Sequence, residues 1–173
     1  MLRDATTADL ADIRSWRNHE QVRAVSLTSH EISAEEHRNW WTVVRSDPAR
    51  RTLVYEQSGV PSGVVNFFDL DPAARTCAWG FFLDLAGLDE RGETLPAWLE
   101  VQREALDYAF GVLDVDVLTG EVLEHNTVVR RMNKRFGFTE GEPQMRDGDG
   151  QPVVVYPIRL HRDDRRARKE SNA

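Results

Sequence analysis

Three short β-type segments joined by tight turns, then one long helical stretch before the next strand, constrain this chain most. Segments 52–57, 63–70 and 76–83 are rich in Val, Phe, Leu, Thr and Trp. They are punctuated by Ser58-Gly59-Val60-Pro61 and by Asp71-Pro72-Ala73-Ala74-Arg75. Links this short imply an antiparallel meander. The next connection is different. A Gly-containing loop, 86–94, leads into a helical pattern over 95–112, with Leu99, Leu106 and Phe110 on one stripe and Pro96 at an early, tolerated position. Residues 115–123 then read as a buried strand. A strand–helix–strand crossover makes its two strands parallel, so the predicted sheet is mixed, mostly antiparallel with one parallel pair.

The remaining elements fit around this frame. Residues 2–5 read as a short first strand, and Thr7 as the cap of a helix over 7–16. Ser33-Ala34-Glu35-Glu36 is a capping box that opens a helix to about Arg45. Asn126 starts a helix to about Arg135, with Gly137 just past its end, and 153–160 reads as the last strand. The expected fold class is α/β (α+β) in one domain over 1–161. The charged segment 162–173 is expected to be a solvated, disordered tail.

Composition narrows the function classes. The chain has 22 basic and 29 acidic residues, a net charge of −7, which argues against a general nucleic-acid surface. No apolar run approaches the roughly 20 residues of a membrane span, and the first residues lack the apolar stretch of a signal peptide. The single cysteine, Cys77, excludes an intrachain disulfide, and no Cys/His spacing suggests a metal site. A cytoplasmic location is the default expectation.

Four local stretches then stand in a telling order. They are Trp16-Arg17-Asn18, Glu35-Glu36-His37 with Trp40-Trp41, Gly120-Glu121-Val122-Leu123 with Asn126, and Lys134-Arg135-Phe136-Gly137-Phe138. With the element order, they resemble the GNAT acyltransferase superfamily over about residues 2–160. Within it they are similar to the group holding amino-sugar N-acetyltransferases of pseudaminic acid synthesis and ribosomal-protein N-acetyltransferases. The resemblance implies a sheet with a splayed parallel strand pair, flanked by helices, and acetyl-CoA as co-substrate without a metal.

The chemistry of such a site assigns candidates. A helix N-terminus behind a Gly-containing loop offers free amides and a positive dipole end to a pyrophosphate. The resemblance puts that loop at Asp89-Glu90-Arg91-Gly92-Glu93-Thr94, where only the first Gly of the family pattern is kept and Thr94 replaces the second small residue. Arg91, Gly92 and Thr94 are therefore expected at the cofactor. Backbone amides near Phe82 and Leu83 are expected at the thioester oxygen, and Asn126 at the pantetheine or as a helix cap. The resemblance places Glu121 on the strand bordering the acceptor and makes it the candidate base for the amine, with an Arg-paired structural role as the alternative. The family's frequent acid, a Tyr, falls at Asn133, whose amide can still bond the sulfur, and a frequent strand Glu falls at Ala78. The resemblance places the acceptor-covering segment after the first helix, which puts Arg17, Asn18 and Arg23 in acceptor recognition, where Arg forks match phosphate oxygens, with surface ion pairing as the alternative. Cys77 reads as packed rather than nucleophilic, so attack is expected to be direct.

The leading expectation is an N-acetyltransferase acting on a small amine, favouring a nucleotide-linked amino sugar, as a monomer or homodimer. Protein N-terminal acetylation is the second reading. A CoA-binding or interaction module without catalysis is the third.

Overall fold

The computed structural model describes residues 1–165. Its sheet is mixed, with strands β1 (Leu2–Asp4), β2 (Arg51–Gln57), β3 (Val60–Asp71), β4 (Thr76–Leu83), β5 (Val117–Leu123), β6 (Thr139–Glu140), β7 (Gln144–Gly148) and β8 (Gln151–His161). The order across the sheet is β1-β2-β3-β4-β5-β8-β6, with β7 also on β8. All the pairings are antiparallel except β4 with β5, which is parallel. The tight turns and the long crossover from β4 to β5 therefore act as expected.

The crossover carries helices α4 (Leu85–Glu90) and α5 (Thr94–Asp107). The expected loop over 86–94 is thus mostly a short helix: Asp84 accepts a bond from the Gly87 amide at 3.0 Å and caps it. Its chain reverses at Gly92, whose φ of +67° suits glycine. Helix α5 begins one residue earlier than expected, and the last turn of the predicted stretch, Tyr108–Val112, widens into a π-turn. Ala97, Val101, Ala105 and Leu106 of α5 are buried against Leu53, Phe67, Cys77, Trp79 and Leu118 of the sheet. Removing a Val or Leu side chain of this size from water is worth about 1.5–3 kcal/mol.

The opposite face carries α1 (Leu10–Asn18), α2 (Glu20–Arg23) and α3 (Ala34–Val44). The expected single helix over 7–16 is instead a 3-10 turn at Thr7–Asp9 followed by α1 and α2. Asp9 is the reason: its carboxylate takes the Thr6 amide at 2.7 Å and a fork from Arg3, so the cap lies at Thr6 rather than Thr7. Those bonds hold the Asp9 carboxyl well below its ordinary value, at about 2. Ile13 and Trp16 bury onto Val54 and Val64, with Phe82 packed beside them. Trp79 and Phe82 therefore face opposite sides, as strand alternation requires.

Helix α6 (Thr127–Phe136) is capped as expected, with Asn126 Oδ1 accepting from the Val129 amide at 3.4 Å and Gly137 at φ +96° closing the end. Strands β6 and β7 are additions to the expected fold. A hairpin turns through Asp149 and Gly150, both at positive φ. The expected tail is ordered at its start. Arg162 donates to the Val115 carbonyl and Arg165 to the Leu106 carbonyl, and both guanidiniums lie over Phe110. The domain therefore extends at least to Arg165. The rest of the expected tail, 166–173, lies outside the described residues. No helix among the described residues is long and apolar enough to cross a membrane.

Candidate active site

The parallel pairing of β4 and β5 is short. Thr76, Cys77 and Ala78 face Val117, Leu118 and Thr119, and no pair follows. Beyond Trp79 and Gly120 the strands part. Gly120 sits so near the Trp79 carbonyl that a Cβ there would lie 3.1 Å from that oxygen. The Asp84 amide donates to the Ser62 carbonyl at 2.9 Å, which fixes the alternation along β4. Phe82, opposite Val64, then directs its backbone polar groups at β3, while Leu83 and Phe81 direct theirs into the gap. The Leu83 amide is thus available to a thioester oxygen. The Phe82 amide is not, and only its side chain lines the site.

Two cavities meet at this gap, sharing Trp79, Gly80, Glu121 and Ile158. The first, about 420 Å³, is walled by Phe82, Leu83, Leu85, Trp98 and Val129, and also takes in Thr94, Asn126 and Asn133. The starts of α5 and α6 both open onto it, which suits an anionic group. Thr94 Oγ1 is buried without a partner, a hydroxyl still free to bond. Asn133 is almost fully buried, and its Oδ1 accepts from the buried Gln102 at 3.2 Å. Its NH2 makes no bond within the described residues, and the residue lines the cavity. Arg91 is placed differently from its expected role: it donates to Ser62 Oγ and pairs with Glu93, each at 2.9 Å, and does not line the cavity. Gly92 serves the turn and does not line the cavity either.

The second cavity, a trough of about 850 Å³, lies on the face opposite the α5 core. Its floor is Ala78, Gly80 and Gly120, small residues that leave the sheet surface open. Ala78 thus makes room where the resemblance puts a Glu. Glu121 reaches into both cavities and is forked by Arg146, with Nε 3.0 Å from Oε1 and 3.1 Å from Oε2. Arg146 also donates to Gln144 at 2.6 Å. Asp69, at φ +52° in a bulge of β3, and Arg159 complete the charged lining together with Glu140, which is held by Arg130 and Lys134.

The segment after α2 closes the trough through Leu27. Asp149 clips that segment to the β7–β8 hairpin: one carboxylate oxygen accepts from the Ser29 amide at 2.6 Å, the His30 amide at 2.8 Å and His30 Nδ1 at 3.1 Å. Backbone bonds from His30 and Ser29 hold the Asp149 carboxyl down at about 2. The Glu36 and Asp149 carboxylates raise the His30 pKa.

Three expected acceptor residues lie elsewhere. Asn18 is spent on structure, its Nδ2 donating to the Ile32 carbonyl and its Oδ1 accepting the Ile32 amide. Arg17 donates to the Thr28 carbonyl at 2.8 Å, and burial lowers its pKa. Neither Arg17 nor Arg23 lines either cavity, though Arg17 Nη1 and Arg23 Nε are buried without partners. Cys77 is buried, and burial pushes its thiol up to about 12, so it stays a packed thiol. The residues that sequence reasoning missed are Asp69, Arg146 and Arg159. Their only signal is polar alternation within strands, and reading it requires the strand register.

The fold can be set beside known proteins. Residues 1–139 match the family described as the acetyltransferase (GNAT) domain. No curated protein matches the chain. A spermidine N-acetyltransferase from Vibrio cholerae, solved with CoA and spermine, superposes with a TM-score of 0.79 at 17% identity, covering 95% of this chain and 96% of that one. A candidate phosphinothricin N-acetyltransferase gives 0.73 at 18% identity, covering 93% and 97%. At these identities the likeness is one of fold. The family match spans most of the chain and includes the splayed pair, and this protein belongs to the GNAT acetyltransferase family.

Proposed function

We propose that the protein transfers an acetyl group from acetyl-CoA to the primary amine of a small molecule. The observation that carries this reading is the gap after Ala78 and Thr119, where two cavities meet from opposite faces of the sheet. The residues of the first cavity fit the co-substrate. The unbonded amides of Thr94 and Leu95 at the start of α5 and of Val128 at the start of α6, with the unpartnered Thr94 hydroxyl, match phosphate oxygens, and apolar walls match a pantetheine arm. When bound, acetyl-CoA supplies an activated acyl group.

The protein's own residues then hold and deprotonate. The Leu83 amide polarises the carbonyl from the strand edge. The Asn133 amide offers a hydrogen bond to the departing sulfur. Glu121 stands between the two cavities and takes the amine proton, directly or through water, with Arg146 holding its carboxylate in place. Cys77 faces the core, which leaves attack by the amine direct.

The acceptor class is a small amine. The nucleotide-linked amino sugar was favoured by the resemblance, and Arg17 and Arg23, its expected phosphate contacts, line neither cavity. Polyamines are named for the Vibrio cholerae enzyme, and they are one arm of the test below. Calorimetry and thermal shift with acetyl-CoA test the first half of the reading. Ligand at a hundredfold its Kd adds about 2.7 kcal/mol to stability. No binding at millimolar ligand removes the reading. Binding without release of CoA thiol on any amine would leave the non-catalytic module instead.

A further inference from the structure

The trough contains two charged side chains without an ion-pair partner among the described residues. Five ionisable residues line it: Asp69, Glu121, Glu140, Arg146 and Arg159. Glu121 is taken by Arg146, and Glu140 by both Arg130 and Lys134. Asp69 and Arg159 have no ion pair among the described residues. Several described arginines lack an ion pair, and among them Arg159 is the one that lines the trough. Even Glu140, at the same edge of the sheet, turns away from it to Arg130.

We infer that the acceptor is an amine that also carries an anionic group, a carboxylate or a phosphoryl oxyanion, and that Arg159 receives that group. The inference rests on the acetyl-transfer reading and specifies its acceptor. Register supplies the geometry. Thr119 of β5 lies opposite Arg159 of β8, and Glu121 opposite Pro157. Arg159 is therefore one strand over and two residues along from Glu121, about 8 Å between backbones at ordinary strand spacings. A guanidinium reaches back across that span to an anion a few bonds from the reacting amine. Asp69 lies two strands away on the other side, beyond β4, at about 12 Å or more.

The surroundings favour an anion over a second ammonium. Arg146 sits on the same trough but is taken by Glu121, so the unpaired charge nearest that carboxylate is the Arg159 guanidinium. A second ammonium near Glu121 meets the unpaired Arg159 guanidinium, while Asp69, the unpaired carboxylate of the trough, lies farther off. An anionic amine meets a forked donor ready to bind two oxygens.

Four probes of similar length decide it: butylamine, γ-aminobutyrate, aminopropyl phosphate and putrescine. CoA thiol release gives kcat/KM for each, and calorimetry on the CoA-saturated protein gives binding. The expected result is a preference of about tenfold or more for the two anionic amines, the scale of one charge-assisted hydrogen bond. Their ranking identifies the carboxylate or the phosphoryl group. Arg159→Gln should bring the ratio of anionic amine to butylamine down to about one through KM, and Arg159→Lys should restore part of it. A preference for putrescine that Asp69→Asn abolishes and Arg159→Gln does not would overturn the inference. So would an equal loss on all four amines in Arg159→Gln, or equal binding of all four where none turns over. Failure of acetyl-CoA itself to bind would instead sink the acetyl-transfer reading.

Discussion

The two cavities that meet at Gly80 and Glu121 are built from different materials. The first cavity is largely apolar, and its polar groups are those at the starts of α5 and α6 and the Leu83 amide, with Thr94 and Asn133 as side-chain additions. The trough is floored by small residues, and its chemistry belongs to the side chains of Asp69, Glu121, Arg146 and Arg159. A backbone-built site tolerates sequence drift, because every residue but proline supplies an amide. That explains how Asp89-Glu90-Arg91-Gly92-Glu93-Thr94 departs from the family pattern while the turn at Gly92 and the start of α5 survive. A side-chain-built site has no such tolerance, and the proposed reading puts acceptor choice there.

The sharpest way to break this contrast is Glu121→Gln. If the trough holds the base, kcat falls about 100-fold or more, the scale of general-base removal, while the Kd for acetyl-CoA stays within a few-fold. Steady-state kinetics and calorimetry on the same preparation check both halves. A harmless Glu121→Gln would reduce the Glu121–Arg146 fork to structure.

A milder test falls on the cofactor side. Thr94→Val keeps the shape and deletes the unpartnered hydroxyl. One hydrogen bond of about 1 kcal/mol corresponds to a five- to tenfold rise in the acetyl-CoA Kd, with acceptor KM little changed. An unchanged Kd would mean that backbone amides carry the phosphates alone, which sharpens the comparison further. A hundredfold loss would contradict it.

The smallest effect is expected at the clip over the trough. Asp149 is held at about 2, below its ordinary 3.8, so its contribution is complete above 3.8 and is lost as pH falls toward 2. His30 is raised above 6.5, so its contribution is complete below that value and fades as pH rises through its folded pKa. The clip is therefore tightest between about 4 and about 6.5 by these two shifts. Asp149→Asn should remove the acid limb and change acceptor KM by no more than a few-fold. Proteolysis of the segment around Ser29 across pH reads the same event, and an unchanged susceptibility would show that other bonds hold the segment closed.

Much of the fold was legible because its signals are local. Tight turns dictated the meander, a long crossover dictated the parallel pair, and Ser33 and Asn126 marked caps that the structure contains. The missed elements share a cause. Helix α4 is only six residues, capped by Asp84 within a Gly-containing stretch that reads as loop. β6 and β7 are short, and their polar sequences gain strand geometry only by pairing with β8. At the site, Glu121 and Asn133 could be singled out from sequence and line the cavities. Arg91 and Asn18 could be singled out too, but neighbours close in space, Ser62 and Ile32, absorb their bonding capacity.

The sequence by itself determined the order of elements, the alternation that sends Trp79 and Phe82 to opposite faces, and the packed state of Cys77. These follow from periods of two or a few residues and from turn chemistry, which nearby residues settle. Only the tertiary structure decided which charges remain free. The fork between Arg146 and Glu121 spans 25 residues, and the clip from Asp149 to Ser29 spans 120. Whether a given Arg finds an acid depends on sheet register and on which elements meet, and Arg159 is left facing the trough because β8 pairs with β5 in the one register that places it there.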